Sequence, residues 1–187
     1  MSAVPVPSRP PFPPGCDGRL ATPGLLRARG ISLRPARDDD LPWLRVLYAT
    51  TRADELARVP WPEAAKRDFL DSQFALQHLH YLSHYDQADF LIIENGDLSL
   101  GRYYLYRGEP DYLIIDISID PAARNQGIAG ALIVQTQRDA AERGRGVQLH
   151  VQIDNSRAQR LYERVGFGAV EDLGSHRRMR WPTGLVE

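Results

Sequence analysis

The stretch Arg124-Asn125-Gln126-Gly127-Ile128-Ala129 has the makeup of a phosphate-holding turn. An apolar strand-like run precedes it and a helix-like run follows. The first turn of a helix leaves N–H groups without intrahelical partners, and its dipole favours negative charge. Gly127 lets the main chain approach an anion with no Cβ in the way, while Ala129 and Gly130 keep the first turn slim. Arg124 can add a charge-assisted hydrogen bond, worth on the order of 1.5–3 kcal/mol. Two better-known phosphate loops do not occur: there is no Gly-x-x-x-x-Gly-Lys-Ser/Thr and no Gly-x-Gly-x-x-Gly.

Other chemistry-bearing groups carry weaker signals. His80 and His84 share a helical face, but His78 does not join them and no carboxylate sits at ligand spacing, so no metal is expected. His150, Asp154 and Ser156 are the ingredients of a hydrolase triad without the turn that would expose the nucleophile. Arg143 and Arg145 read as the favoured positive end of a helix.

The elements that would position the turn follow from periodicity and punctuation. Residues 1–29 read as a disordered tail, because Pro5, Pro7, Pro10, Pro11, Pro13, Pro14 and Pro23 remove donors and few large apolar residues offset the ordering entropy. The folded domain is placed at 30–182, with a short tail at 183–187. Ile31–Pro35 is a first strand, Asp38, Asp39 and Asp40 offer caps, and Pro42 opens a first helix. A break at Val59-Pro60-Trp61-Pro62 precedes a second helix, whose apolar stripe is Ala65, Phe69, Phe74, Leu76, Leu79 and Tyr81. Three antiparallel strands follow, the first pair joined at Glu94-Asn95-Gly96-Asp97. The third strand alternates Leu113, Ile115, Ile117 and Ile119 on one face with Tyr112, Ile114, Asp116, Ser118 and Asp120 on the other, a face unusually polar for a central strand. A helix runs from about Gly127 to Glu142, a strand over Val147–Ile153, and a helix over Ser156–Val165 with Asn155 as its cap. Gly166 and Phe167 read as its left-handed stop, and a strand pair fills 168–181.

Composition narrows the setting. With 187 residues, 43% hydrophobic, 25% charged and a net charge of -1, the chain suits one globular domain. Acids and bases are interspersed, so nucleic-acid and membrane partners are not expected. The single cysteine, Cys16, excludes an internal disulfide, and with no signal-peptide pattern or apolar span the expected location is cytoplasmic.

Two motifs together resemble a known family. Arg124 to Ala129 matches the Arg/Gln-x-x-Gly-x-Gly/Ala signature of the GNAT superfamily of N-acetyltransferases, preceded by a strand ending in Ile119-Asp120-Pro121. Downstream, Asn155 to Phe167 resembles the family's Asn-x-x-Ala-x-x-Leu-Tyr-x-x-x-Gly-Phe, and the resemblance covers roughly residues 31–181. It implies an α+β, three-layer fold: a mixed, mostly antiparallel sheet with a V-shaped splay and helices on both faces.

The resemblance also implies acetyl-CoA as co-substrate, no metal, and an amine acceptor that is a small molecule or a peptide. Arg124, Asn125, Gln126, Gly127, Ile128, Ala129 and Gly130 would hold the pyrophosphate. Ile117, Ser118 and Ile119 would line the pantetheine, with one of their N–H groups as the oxyanion donor. Asn155 would touch the cofactor while capping its helix. Tyr162 matches the family's general acid near the sulfur. Its ordinary pKa of about 10, against about 8.5 for a thiol, makes a hydrogen bond to the sulfur safer than full transfer. The family's usual glutamate falls at Leu113 or Ile115, which are apolar here, so Asp116 is the candidate base, with Glu94, Asp54 and Glu55 as fallbacks. Asp54 and Glu55 would also suit an amine as a cation-binding wall. Dimers are common in the family. A non-catalytic CoA-binding sensor, or transfer of a longer acyl chain or to an alcohol, are the competing readings.

Overall fold

A computed structural model describes residues 11–13 and 19–183; most of the proline tail, Cys16 and residues 184–187 lie outside it. The described residues fall into two compact units, one comprising 11–13 and 36–87, the other 19–35 and 88–183.

The smaller unit is helical. Asp38–Asp40 forms a single tight turn in which the Asp40 carboxylate accepts the Arg37 N–H at 2.7 Å. It feeds α2 (Leu41–Ala57), with Pro42 in the first turn, where a missing N–H costs nothing. Pro60 and Pro62 keep the chain out of helix until α3 (Glu63–His84). The buried stripe of α3 is Phe74, His78 and Leu82, spaced i, i+4, i+8; Phe69, Leu76 and Leu79 are exposed. The expected apolar stripe is therefore corrected. His78 is a core residue, stacked on Phe74 with centroids 5.8 Å apart and met edge-on by Phe12 at 4.9 Å.

The larger unit is one seven-stranded sheet with short helices. Its strands are β1 (Ile31–Pro35), β2 (Asp89–Asn95), β3 (Leu98–Tyr106), β4 (Asp111–Ile119), β5 (Gly146–Gln152), β6 (Gly168–Leu173) and β7 (His176–Trp181), in the order β1-β2-β3-β4-β5-β7-β6. Every pairing is antiparallel except β4 with β5. That parallel connection is made by α4 (Ile128–Ala141), whose Ile128, Leu132, Ile133 and Ala140 join the strand side chains in the core. α5 (Ser156–Arg164) ends as expected: Gly166 takes φ +90, and the Phe167 N–H donates to the Tyr162 carbonyl at 3.0 Å.

The boundary of the tail at residue 29 is corrected. A short helix, α1 (Gly24–Arg27), buries Leu26, and Leu20 is buried with it in the same core as β1 and α4. Both leucines are spaced among prolines and small residues, so no periodicity announces them. Asp89, with its side chain out of solvent, accepts the Leu20 N–H at 3.3 Å and pairs with Arg107 at 2.7 Å, which pins this segment to β2.

Candidate functional site

β4 carries a bulge opposite Tyr104 and Leu105. Leu105 pairs with Ile114 but Tyr104 pairs with Asp116, so Ile115 is an extra residue with no opposite number. Side-chain parity changes there. Tyr112 and Ile114 before the bulge, and Ile117 and Ile119 after it, all pack with the core that α4 covers. The strict alternation read from the sequence is corrected accordingly.

β4 and β5 pair only from Asp111↔Gly146 to Ile114↔Leu149, although β4 continues to Ile119 and β5 to Gln152. Beyond that point the strands part in a V. Residues 115–119 are half-buried despite lying mid-sheet, and their main-chain groups on the β5 side have no ladder partner. Free main-chain donors and acceptors of this kind can pair with an extended, amide-bearing chain.

The turn follows directly. Asp120 caps the short turn Pro121–Ala123 by accepting the Ala122 N–H at 2.9 Å. Arg124 donates from Nε to the Ile119 carbonyl at 3.0 Å, fastening the turn to the end of β4. Asn125 and Gly127 adopt φ +64 and +74, both left-handed, and Gly127 is the N-cap of α4. Among the described residues the N–H groups of 127–130 donate to no protein acceptor, and the first bond of the helix runs from Ala131 N to Gly127 O at 3.0 Å. A Cβ on Gly127 would meet no protein atom within 4 Å, and one on Gly130 would touch only Leu161 at 3.7 Å. Unspent amides at a helix start on an exposed, slim turn fit a diphosphate.

Tyr162, on α5, is 7% exposed and its phenol makes no hydrogen bond among the described residues. Burial first, then the negative charge of Asp116, pushes its pKa up to about 12. Neighbouring Tyr103 is pushed up as well, by burial foremost, and its hydroxyl is tied to Thr136 Oγ1 at 2.7 Å. Tyr162 therefore stays protonated at neutral pH, with a hydroxyl that can donate a hydrogen bond. Asn155 is seen as the cap of α5, accepting the Ala158 N–H at 3.0 Å.

Asp116 is engaged in an ion pair. Both its oxygens are held by Arg102, at 3.0 and 2.8 Å, and Oδ1 also accepts from Ser118 Oγ at 2.8 Å. Ser118 thus spends its hydroxyl proton on Asp116. Glu94 sits two strands away on β2, paired with Arg34 at 2.6 Å. Asp54 and Glu55 lie inside α2 on its exposed side, Glu55 paired with Arg52 at 3.0 Å.

Three arginines escaped the sequence reading. Arg102 opposes Ser118 only through a register that the bulge defines. Arg29 and Arg157 reach the turn from remote positions, Arg29 to Gln126 and Arg157 Nη2 to Asn125 Oδ1 at 2.6 Å. Nothing in the spacing of these residues signals the contacts.

Comparison with known proteins agrees with this geometry. Residues 47–167, more than half of the chain, match the Acetyltransferase (GNAT) family. The N-alpha-acetyltransferase RimI of Mycobacterium tuberculosis is 34% identical over 111 residues, which span 59% of this chain and 63% of that relative. Among solved structures, the PaiA N-acetyltransferase of Thermoplasma acidophilum, in complex with coenzyme A, superposes with a TM-score of 0.62 at 16% identity, covering 81% of this chain and 98% of that one. The ribosomal-protein-S18-alanine N-acetyltransferase of Escherichia coli gives 0.55 at 16% identity, over 84% and 96%. At such identities the two structures speak to the fold, and the family match speaks to kinship: the chain belongs to the GNAT family of acetyltransferases.

Proposed function

We propose that this chain transfers the acetyl group of acetyl-CoA to the terminal α-amine of a peptide or protein. The observation that carries the reading is the β4–β5 ladder ending at Ile114↔Leu149 beside a turn with unspent N–H groups. The amides of residues 127–130 receive the pyrophosphate. The main chain of Ile117–Ile119 aligns the pantetheine and supplies a donor to the thioester oxygen. Tyr162 donates a hydrogen bond toward the sulfur. A neutral amine attacks the thioester carbonyl, the C–N bond forms, the C–S bond breaks, and the thiolate leaves as CoA. The amine's proton passes to water.

The engagement of Asp116 with Arg102 supports a choice of acceptor class. Asp116 is committed to Arg102, so the acceptor must arrive deprotonated with little help. An α-amine with pKa near 8 needs about 1–1.5 kcal/mol at pH 7, whereas a lysine-type amine needs roughly 4–5 kcal/mol. Two of the similar proteins act, by their names, on α-amines.

The test is thiol release from acetyl-CoA with peptides bearing a free N-terminus, matched N-blocked peptides containing lysine, polyamines and aminoglycosides. Thiol release and acetyl mass gain confined to free N-termini are expected. Turnover of lysine or polyamines alone would reassign the acceptor. Tight acetyl-CoA binding with no thiol from any amine would make the chain a CoA-binding sensor.

A further inference from the structure

Arg29, two residues past α1, forks onto the phosphate turn from 97 residues away in sequence. Its Nη1 donates to the Gln126 main-chain carbonyl at 2.8 Å and its Nη2 to Gln126 Oε1 at 3.1 Å. Other arginines of this unit pair with carboxylates: Arg34 with Glu94, Arg102 with Asp116, Arg180 with Asp111. Arg29 pairs with none among the described residues. Its partners are neutral oxygens, so its charge is left uncompensated beside the turn.

Peptide geometry gives the fork a consequence. In a trans peptide the C=O of one residue and the N–H of the next point in opposite directions. The only cis bond among the described residues is Glu109–Pro110, so the Gln126–Gly127 peptide is trans. Holding the Gln126 carbonyl on the Arg29 side therefore aims the Gly127 N–H to the other side. Without the fork this peptide could rotate, because glycine tolerates either sign of φ. Gly127 supplies the freedom and Arg29 removes it.

We propose that Arg29 is a positioning residue: it locks the Gln126–Gly127 peptide with the Gly127 N–H presented to the pyrophosphate of CoA, which makes the segment before β1 part of the cofactor site. This rests on the acetyl-CoA reading above.

Calorimetry on the full chain with three ligands tests it: CoA, dephospho-CoA, which keeps the pyrophosphate but lacks the 3′-phosphate, and pantetheine, which has neither. Arg29→Ala is expected to weaken CoA and dephospho-CoA by the same factor, about tenfold, the scale of one charge-assisted hydrogen bond. Pantetheine binding stays unchanged. In turnover the KM for acetyl-CoA rises while kcat stays within about twofold, as expected when ground-state and transition-state binding fall together. Arg29→Lys, which can still donate to both oxygens, recovers part of the affinity; it also serves should the alanine variant fold poorly. A loss confined to CoA would overturn the proposal in favour of direct contact with the 3′-phosphate. Equal loss for pantetheine, or no loss for any ligand, would overturn it outright. If the unaltered chain bound none of the three, the cofactor reading itself would fall.

Discussion

Arg102 grips both carboxylate oxygens of Asp116 across β3 and β4, with the arginine side chain 3% exposed and the aspartate 12%. A pair this buried is expensive to break, since the surviving charge loses its counter-charge away from water. Asp116→Asn is therefore expected to cost about 3–5 kcal/mol in urea denaturation. Its kcat at a stabilising temperature should fall less than about tenfold, far short of the 10²–10⁴ that removal of a general base produces. Replacing both partners, Arg102→Met with Asp116→Leu, should regain most of the stability. A rate loss of a thousandfold in a well-folded Asp116→Asn would restore the base assignment.

Tyr162→Phe removes one hydroxyl and leaves the ring packed against Phe167, 6.1 Å between centroids. Acetyl-CoA affinity should stay within about twofold while kcat drops on the order of 10²-fold. Because the phenol titrates at about 12, it contributes no falling limb to the pH–rate profile below pH 10. The rise should instead track the acceptor amine, near pH 8 for an α-amine. A falling limb near pH 9 that vanishes in the phenylalanine variant would contradict this.

The same phenol links stability to alkaline pH. Folded Tyr162 keeps its proton up to about 12, while an unfolded tyrosine loses it near 10. Between those values the folded state binds more protons. The stabilisation is thus complete below pH 10 and is lost as pH rises toward 12, with Tyr103 contributing in the same sense. Urea midpoints should decline over that window, and Tyr162→Phe should make the decline shallower.

Gly127 combines φ +74 with open space where a Cβ would stand. A side chain would therefore meet no protein atom, and its folding cost is the left-handed strain, about 1–2 kcal/mol. It would project instead into the space that the unspent amides face. Gly127→Val should fold with a modestly lower melting temperature and lose acetyl-CoA binding in calorimetry. Unchanged affinity in that variant would contradict the phosphate-turn reading.

Leu26 is fully buried in a segment whose sequence resembles a tail. Leu26→Ala should destabilise the fold by about 2–5 kcal/mol, as expected for a cavity in a packed core. A change below about 0.5 kcal/mol, the level of a surface substitution, would show that the segment is peripheral.

Local rules carried much of the fold into the sequence. Gly166 and Phe167 stop α5 as a left-handed cap requires, and Pro60 and Pro62 divide α2 from α3. The turn at Gly127 is legible because a strand-like run, a glycine-containing turn and a helix-like run follow in order, and because a second family-like motif stands at Asn155 to Phe167. What stayed hidden depends on register or on remote partners. The extra residue at Ile115 exists only relative to β3, so alternation put Ile117 and Ile119 on a face with Ile115 instead of with Tyr112 and Ile114. Spacing sets His78 apart from His80 and His84, but it cannot show the stacked ring of Phe74 and the edge-on ring of Phe12 that make His78 a core residue. Asp54 and Glu55 are acids on the exposed side of a helix that runs on to Ala57, which their residue types alone do not reveal.

The parting of β4 from β5 after Ile114 has an evolutionary corollary. If the amide-bearing arm of acetyl-CoA docks there as though it were another strand, it is read by peptide groups that every amino acid possesses. Substitution can then sweep through the lining without erasing the docking site, provided the backbone path survives. A protein only 16% identical shares this fold, and on that condition what selection holds is a course of the polypeptide, and few of its letters.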